Sequence, residues 1–444
     1  MTAIDPVAGF DRHSPPDPTL IDACVHCGFC LATCPSYRIL GTEADSPRGR
    51  IYLMDAINNG EAPLAAVANH FDTCLGCLAC VTTCPSGVQY DKLISATRAQ
   101  VQRNYPRAPV ARLFRQFIFQ TLPYPNRLRP LLLPLWLYQR LGLAALERRV
   151  GGLTRLLPKP LAAMYAMLPP LSAASFRDTY PTVIPAQGKR RGRVGVILGC
   201  VQRLFLPEVN DATIAVLSAN GFDVVVPPQQ GCCGALPHHQ GEEAQAQALA
   251  RRMIDCFAAA AVDNVLINAS GCGHTLKEYH HLLAQDLDYG DRARHFVAKV
   301  DDVQVFLATK GLVTPLHPLS DRPLTLVYQD ACHMIHGQKI RLEPRQLLRQ
   351  IPQVQLREPI DAALCCGSAG VYNIFQPEVA AELGRQKVRN LLNTRPDVIV
   401  SANVGCSVQL KRHLQDQGSR VPVYHPMQLL ERSIRGQPLP LGEV

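Results

Sequence analysis

Cys24-Val25-His26-Cys27-Gly28-Phe29-Cys30-Leu31-Ala32-Thr33-Cys34-Pro35 is repeated fifty residues on as Cys74-Leu75-Gly76-Cys77-Leu78-Ala79-Cys80-Val81-Thr82-Thr83-Cys84-Pro85. Both copies read Cys-x-x-Cys-x-x-Cys-x-x-x-Cys-Pro, with Thr before the last Cys and Ser after the Pro. A cubane needs four thiolates at tetrahedral corners. Two intervening residues let one turned loop supply three of them, and the fourth comes from the other run. Cys24, Cys27, Cys30 and Cys84 are therefore expected to hold one [4Fe–4S] cluster, and Cys74, Cys77, Cys80 and Cys34 a second. Pro35 and Pro85 offer no N–H and bias the preceding Cys toward extended backbone, so the chain leaves each cluster there. Structural zinc takes four ligands per site and has no use for the third Cys and the Cys-Pro.

Working outward, 97 residues suffice for a small helical domain around the two runs. Residues 51–57 read as a helix with an apolar face, started by Pro47. Arg48 and Arg50 stand close to a run in sequence. They either offset cluster charge or occupy a solvated loop at the helix start.

Beyond Arg193 the chain repeats itself. Val194 to Cys200 is echoed by Leu324 to Cys332, Cys232-Cys233-Gly234 by Cys365-Cys366-Gly367, and Val265 to Cys272 by Val398 to Cys406, at offsets of 132, 133 and 134 residues. Within each half, short apolar strands alternate with helices, expected at 210–220, 242–260 and 378–392, with a further strand at 223–226. Such alternation implies Rossmann-like parallel sheets. Open α/β sheets bind ligands beyond the carboxyl ends of their strands, where these cysteines fall.

Three readings of the repeated cysteines stay open. The first is a further iron–sulfur site in each half, on Cys200, Cys232, Cys233 and Cys272 and on Cys332, Cys365, Cys366 and Cys406. The second is redox-active thiols, and the third is packing as small buried hydrophobes. Cys256 lies outside the repeat and reads as core. Among His238, His239, His274, His333 and His336, His333 follows Cys332 directly and is the best candidate for supporting a ligand or handling a proton.

The fold expected is α+β and multidomain: a helical two-cluster domain over 1–97, a basic, Pro-punctuated connector over 98–193, and two α/β halves over 194–320 and 321–444. Hydrophobic residues at 47% and charged residues at 18% describe a globular chain of net charge +9. The connector carries seventeen Lys or Arg against two acids, Glu147 and Asp178, so the basicity is concentrated there. Basic residues interleaved with aromatics on a reading surface are missing, and no nucleic-acid partner is expected. A zinc-bearing regulatory or nucleic-acid-binding protein is the rival class that the connector suggests. The run Leu131-Leu132-Leu133-Pro134-Leu135-Trp136-Leu137-Tyr138 is too short to span a bilayer. It suits an interfacial or partner-docking helix, or a linker packed on its neighbours. Met1 to Thr19 is polar, without a secretory pattern. The expected location is the cytoplasm, with peripheral contact at the inner face of the membrane. No glycine fingerprint for flavin or nicotinamide follows a strand.

Ala23-Cys24-Val25-His26-Cys27-Gly28-Phe29-Cys30, Pro47 to Leu53, Gly231-Cys232-Cys233-Gly234-Ala235, Ala269-Ser270-Gly271-Cys272-Gly273, Leu364 to Gly370 and Ala402-Asn403-Val404-Gly405-Cys406 together resemble the iron–sulfur subunits of bacterial glycolate oxidase. The resemblance covers nearly the whole chain and is weakest in the connector. It implies an electron carrier in an oxidoreductase complex. Separate FAD-bearing subunits oxidise glycolate to glyoxylate, and this chain passes electrons toward a quinone-type acceptor at the membrane. Related subunits serve lactate oxidation, anaerobic glycerol-3-phosphate dehydrogenase and heterodisulfide reductase. In the last pattern another Cys follows as Cys-x-x-Cys. Here Gly273-His274-Thr275 follows Cys272 and Ser407-Val408-Gln409 follows Cys406.

Overall fold

The computed structural model describes residues 9–143, 147, 158–177 and 179–441. Six helices build the amino-terminal part: α1 (Pro18–Asp22), α2 (Pro35–Leu40), α3 (Pro47–Asn58), α4 (Leu64–Asp72), α5 (Ala79–Thr83) and α6 (Tyr90–Asn104). Pro47 opens α3 as expected, and Ser46 caps it by accepting the Gly49 N–H at 3.0 Å. Met54, Leu64, Phe71, Leu93 and Ile94 form the core between α3, α4 and α6, so both cysteine runs are pinned to one apolar nucleus. Helix α6 runs on to Asn104 and joins this part to the connector without a break.

The connector supplies α7 (Pro109–Thr121), α8 (Pro125–Arg140) and a helix at Lys159–Ala166. The apolar run 131–138 lies inside α8, which continues through Pro130 and Pro134. Its faces differ: Leu128 and Leu132 are buried with Leu204 of the first half, while Leu131, Leu133 and Leu137 remain exposed.

Among the described residues there are nine strands, the first of them within the connector: β1 (Val183–Ile184), β2 (Gly192–Ile197), β3 (Phe222–Val225), β4 (Asn264–Ile267), β5 (Val300–Asp302), β6 (Leu324–Gln329), β7 (Val354–Arg357), β8 (Val398–Ser401) and β9 (Val423–Tyr424). The first sheet runs β1-β3-β2-β4-β5 and the second β7-β6-β8-β9. All pairings are parallel except that of β1, which runs antiparallel to β3 (Val183 opposite Val225). Taking only the parallel strands in chain order, both halves read second-first-third-fourth. The chain therefore reverses direction between β2 and β4, and again between β6 and β8. The expected helices are present as Pro207–Ala219, Glu243–Ala258 and Pro377–Leu392, and the expected strand at 223–226 is β3. Gly221, at φ +87°, ends the first of these helices.

One apolar core passes through both sheets, including Val194, Val216 and Leu266 of the first half and Leu326, Tyr328 and Leu429 of the second. The last helix, Pro426–Ile434, packs on Pro207–Ala219 of the first half. The backbones also meet directly where Ser270 N–H donates to Ala402 O at 3.1 Å. The carboxyl ends of β4 and β8 thus face one another.

Candidate functional site

Cys24, Cys27, Cys30 and Cys84 line one small cavity near the surface, together with Pro47, Arg48 and Cys80. The loop carrying the first three turns at His26 (φ +53°) and Gly28 (φ +83°). A Cβ at Gly28 would stand 2.8 Å from Arg48 Nη1, so only glycine lets that guanidinium pass. Arg48 donates from Nη1 to His26 O at 2.9 Å and from Nε to Glu43 at 2.7 Å, which fastens the loop to α3. Cys27 is exposed, and Val25 and Phe29 stand 68% and 65% exposed beside it. Burial raises the pKa of Cys24 and Cys30 above the ordinary thiol value.

Cys34, Cys74, Cys77 and Cys80 line a second cavity, with Arg50 and Tyr90. All four thiols are buried. Arg50 has no exposed surface. Its Nη2 donates to Ser36 Oγ (3.0 Å) and Thr73 Oγ1 (2.9 Å), and Asp45 stands 3.6 Å away. Its Nη1 has no hydrogen-bond partner. A buried unpaired guanidinium N–H is costly, and an anionic cluster among these thiols supplies both the missing acceptor and the counter-charge. The residues therefore fit such a group. The solvated-loop reading does not hold for Arg50, which is fully buried. Arg48 is only partly shielded.

Burial pushes the Cys74 thiol up, but Arg50 and Arg98 together outweigh it and leave its pKa below the ordinary value. Cys74 also accepts the Gly76 N–H at 3.4 Å and the Tyr90 hydroxyl at 3.7 Å. Burial drives Cys77 and Cys80 well up, Cys77 further by the nearness of Cys332.

The eight repeated cysteines form one group in each half, and the two groups share a cavity. Cys200, Cys232, Cys233, Cys272, Cys332, Cys365, Cys366 and Cys406 all line one cavity of about 670 Å³ between the halves, at the carboxyl ends of β2, β4, β6 and β8. The thiols form two similar chains. Cys200 lies 3.3 Å from Cys232, Cys366 3.1 Å from Cys406, and Cys332 4.0 Å from Cys365. In both chains the second Cys of the Cys-Cys pair stands between two other thiols, Cys233 beside Cys232 and Cys272 and Cys366 beside Cys365 and Cys406, and their closeness holds its pKa well below the ordinary thiol value. Both therefore favour the thiolate. Lys387, fully buried, adds positive charge near Cys366, Cys406 and Cys365 in the second half. Asn403 Nδ2 donates to Ser270 Oγ at 3.0 Å across the seam between halves.

The three cavities stand in a row. The first and second share Pro47, Cys80 and Tyr90 as walls, and Leu75 lines both the second and the third. Residues of the second half cover the inner run: Leu75, Cys77 and Ala79 pack with Leu364, Cys365 and Tyr372. Tyr372 donates its hydroxyl to Thr73 O at 3.0 Å, and His333 Nε2 lies 2.8 Å from Gly76 O. Arg98 bridges from Cys74 O to His239 O, the latter at 2.8 Å.

His333 stands on a π-helical turn (His333–Gly337) that begins just after Cys332. His239 and His274 lie tilted against it with ring centroids 4.8 Å away, and burial lowers the pKa of all three. His238 adjoins them, lowered by burial to about 4. His336 instead meets Thr82 Oγ1 at 2.7 Å. Cys256 lies apart, beside Pro228 O. Sequence reasoning missed Arg98, Lys387 and Leu75. Arg98 and Lys387 sit in helices with no local sign of their depth, and Leu75 is merely an x in a Cys motif.

Three family models match the chain: a 4Fe-4S dicluster domain over 20–88, a glycolate oxidase iron-sulfur subunit linker region over 110–168, and a cysteine-rich domain twice, over 194–277 and 326–411. The probable glycolate oxidase iron-sulfur subunit of Bacillus subtilis (strain 168) is 38% identical over 416 residues, 92% of each chain. The glycolate oxidase iron-sulfur subunit of Escherichia coli (strain K12) is 34% identical over 421 residues, 94% of this chain and 95% of that one. Lactate utilization protein A of Halalkalibacterium halodurans is 27% identical over 243 residues, 55% of this chain and 98% of its own length. With its paired cysteine runs, its linker and its duplicated cysteine-rich domain, this chain belongs to the family of glycolate oxidase iron–sulfur subunits.

Proposed function

We propose that this chain conducts single electrons from its exposed cysteine site, through the buried one, into the cavity between the halves. The row of three cavities with shared walls is the observation that carries this reading. Bound [4Fe–4S] groups supply one-electron redox chemistry at the first two positions. Cys24, Cys27, Cys30 and Cys84 hold the outer group, and Cys74, Cys77, Cys80 and Cys34 the inner. Arg50 and Arg98 lower the charge cost of adding an electron at the inner site. Tyr372 and Leu364 keep water from it. The eight cysteines of the shared cavity hold a further iron–sulfur site.

The exposed surface at Val25 and Phe29 receives electrons from FAD-bearing partner subunits that oxidise glycolate to glyoxylate. The acceptor is a quinone at the inner face of the cytoplasmic membrane. Among the described residues no helix is long and apolar enough to cross a membrane, so contact there is peripheral. Four parts divide the work: 1–97 carries the two clusters, 98–193 connects, and 194–320 and 321–444 are Rossmann-like halves. Their common strand order and the cysteines at the strand-order reversals support that description.

Anaerobic purification with iron and sulfide counting tests the reading. About eight irons are expected from the two cubanes, with more if the shared cavity is filled. Cys366→Ser should lower the count without touching the first eight. Material lacking the spectroscopic signature of reduced cubanes after dithionite would overturn the reading. A lactate system is the second reading, favoured by the lactate-utilization relative, and the substrate oxidised by the co-purifying flavoprotein separates the two.

A further inference from the structure

The cavity between the halves does not end at its cysteines. It continues outward between α7, α8 and the Lys159–Ala166 helix, where Phe117, Leu131, Leu135, Leu161, Met164 and Leu168 line it. The inner lining is buried, whereas Leu131 at the outer end is 46% exposed, so the space opens to the surface through the connector. Next to this mouth the connector exposes more apolar side chains, Leu113, Leu133 and Leu137 among them. The lining changes character along its length. Between the connector helices it is mostly apolar, with Thr121 and Tyr165 among the lining, and polar groups gather at the inner end, Arg98, His239, Ser270, Ser368 and Asn403 among them.

We propose that this corridor is the binding site of a tailed quinone, with its ring at the polar inner end and its apolar tail running out between the connector helices. The inference rests on the electron-transfer reading and adds the acceptor's place. The part of this cavity beyond the cysteines has a lining that matches a molecule with two carbonyl oxygens at one end and hydrocarbon at the other. A phosphate-bearing acceptor needs several cationic groups, and among the described lining residues Arg98 is the only Lys or Arg, already engaged with Cys74 O and His239 O. The reaction balances on the chain's own supply. Two electrons arrive singly past Leu75, two protons come from water, and the two C=O groups of the quinone become C–OH. The reduced chain is oxidised by one electron at a time.

The test uses the full, cluster-loaded chain under anaerobic conditions, with calorimetric titration of naphthoquinones of increasing tail length. Affinity is expected to rise with tail length and to fall at least tenfold in Leu131→Asp. Leu133→Asp is the control. Leu133 is as exposed, at 50%, and lies on the same helix, but it does not line the corridor. Equal loss in both variants, or none in either, overturns the site and points to partition onto the apolar surface. Reduction of ferricyanide by the complex is read in parallel. Intact dye reduction without tail-dependent quinone binding rejects the corridor and leaves the electron-transfer reading standing. Lost dye reduction with normal quinone binding does the reverse.

Discussion

The two cysteine runs are nearly the same sequence in opposite surroundings. The first lies in an open loop with Cys27, Val25 and Phe29 exposed, braced by a partly shielded Arg48. The second is roofed by the second half and sits on a fully buried Arg50, with Arg98 holding the carbonyl of Cys74. Spacing chooses the ligands, and what packs over the spacing chooses the direction of traffic. A site open to a large partner can receive electrons. A site walled by Leu75 and Tyr372 can only hand them inward.

The comparison can be broken most severely at the thiols. Cys77→Ser should abolish electron delivery to any acceptor and remove the inner cubane signal, whereas Cys27→Ser, at the exposed site, should keep the inner signal; paramagnetic resonance after dithionite reads both. Next come the two arginines. Arg50→Met removes the buried cation beside Asp45, leaving it only His70 and Thr73, and strips Ser36 of its donor; it should cost about 3 kcal/mol in denaturant titration. It should also shift the inner centre to lower potential. Arg48→Met, at a solvated ion pair, should leave the melting curve unchanged.

Acid gives a smaller, graded contrast. Burial lowers His238, beside the inner run's Arg98, and His425, whose Nε2 lies 2.8 Å from Asn268 O, to about 4. In the unfolded chain both take up a proton near 6.5 while the folded chain refuses it. Stability is therefore full above 6.5 and declines as pH falls from there toward 4. Urea titrations at pH 7.5 and 5 should show the decline, and His425→Gln should reduce it. The smallest effect belongs to the outer surface. Phe29→Ser should change stability by no more than about 0.5 kcal/mol yet slow electron uptake from the flavoprotein, seen in stopped-flow reduction.

Much of this was legible beforehand, for identifiable reasons. Ligand spacing is a local property, so the Cys-x-x-Cys runs could be read directly, and the 132- to 134-residue offsets announced the paired sheets. Cys200, Cys272, Cys332 and Cys406 fall after strands because a short apolar run followed by Cys has few other places to put it. Depth was not legible. Arg48 and Arg50 are two residues apart, yet one turns to solvent and the other under α4, a difference set by helical rotation against Thr73 and His70. Nor does a repeat say whether its two sites stay apart or merge. The single shared cavity follows from the face-to-face meeting of β4 and β8, a contact between segments more than 130 residues apart. The connector looked like a linker because its apolar residues follow no single face, and they line a corridor on one side while facing solvent on the other.

The closing helix, Pro426–Ile434, completes the packing of a helix laid down some two hundred residues earlier. During synthesis the amino-terminal cysteines emerge with all their local partners and can be metallated while the ribosome is still at work. The central cavity needs Cys332, Cys365, Cys366 and Cys406 of the second half as walls. Loading is accordingly expected to be ordered, front centres first, and a stop codon placed before Cys332 should yield a brown but incompletely loaded protein.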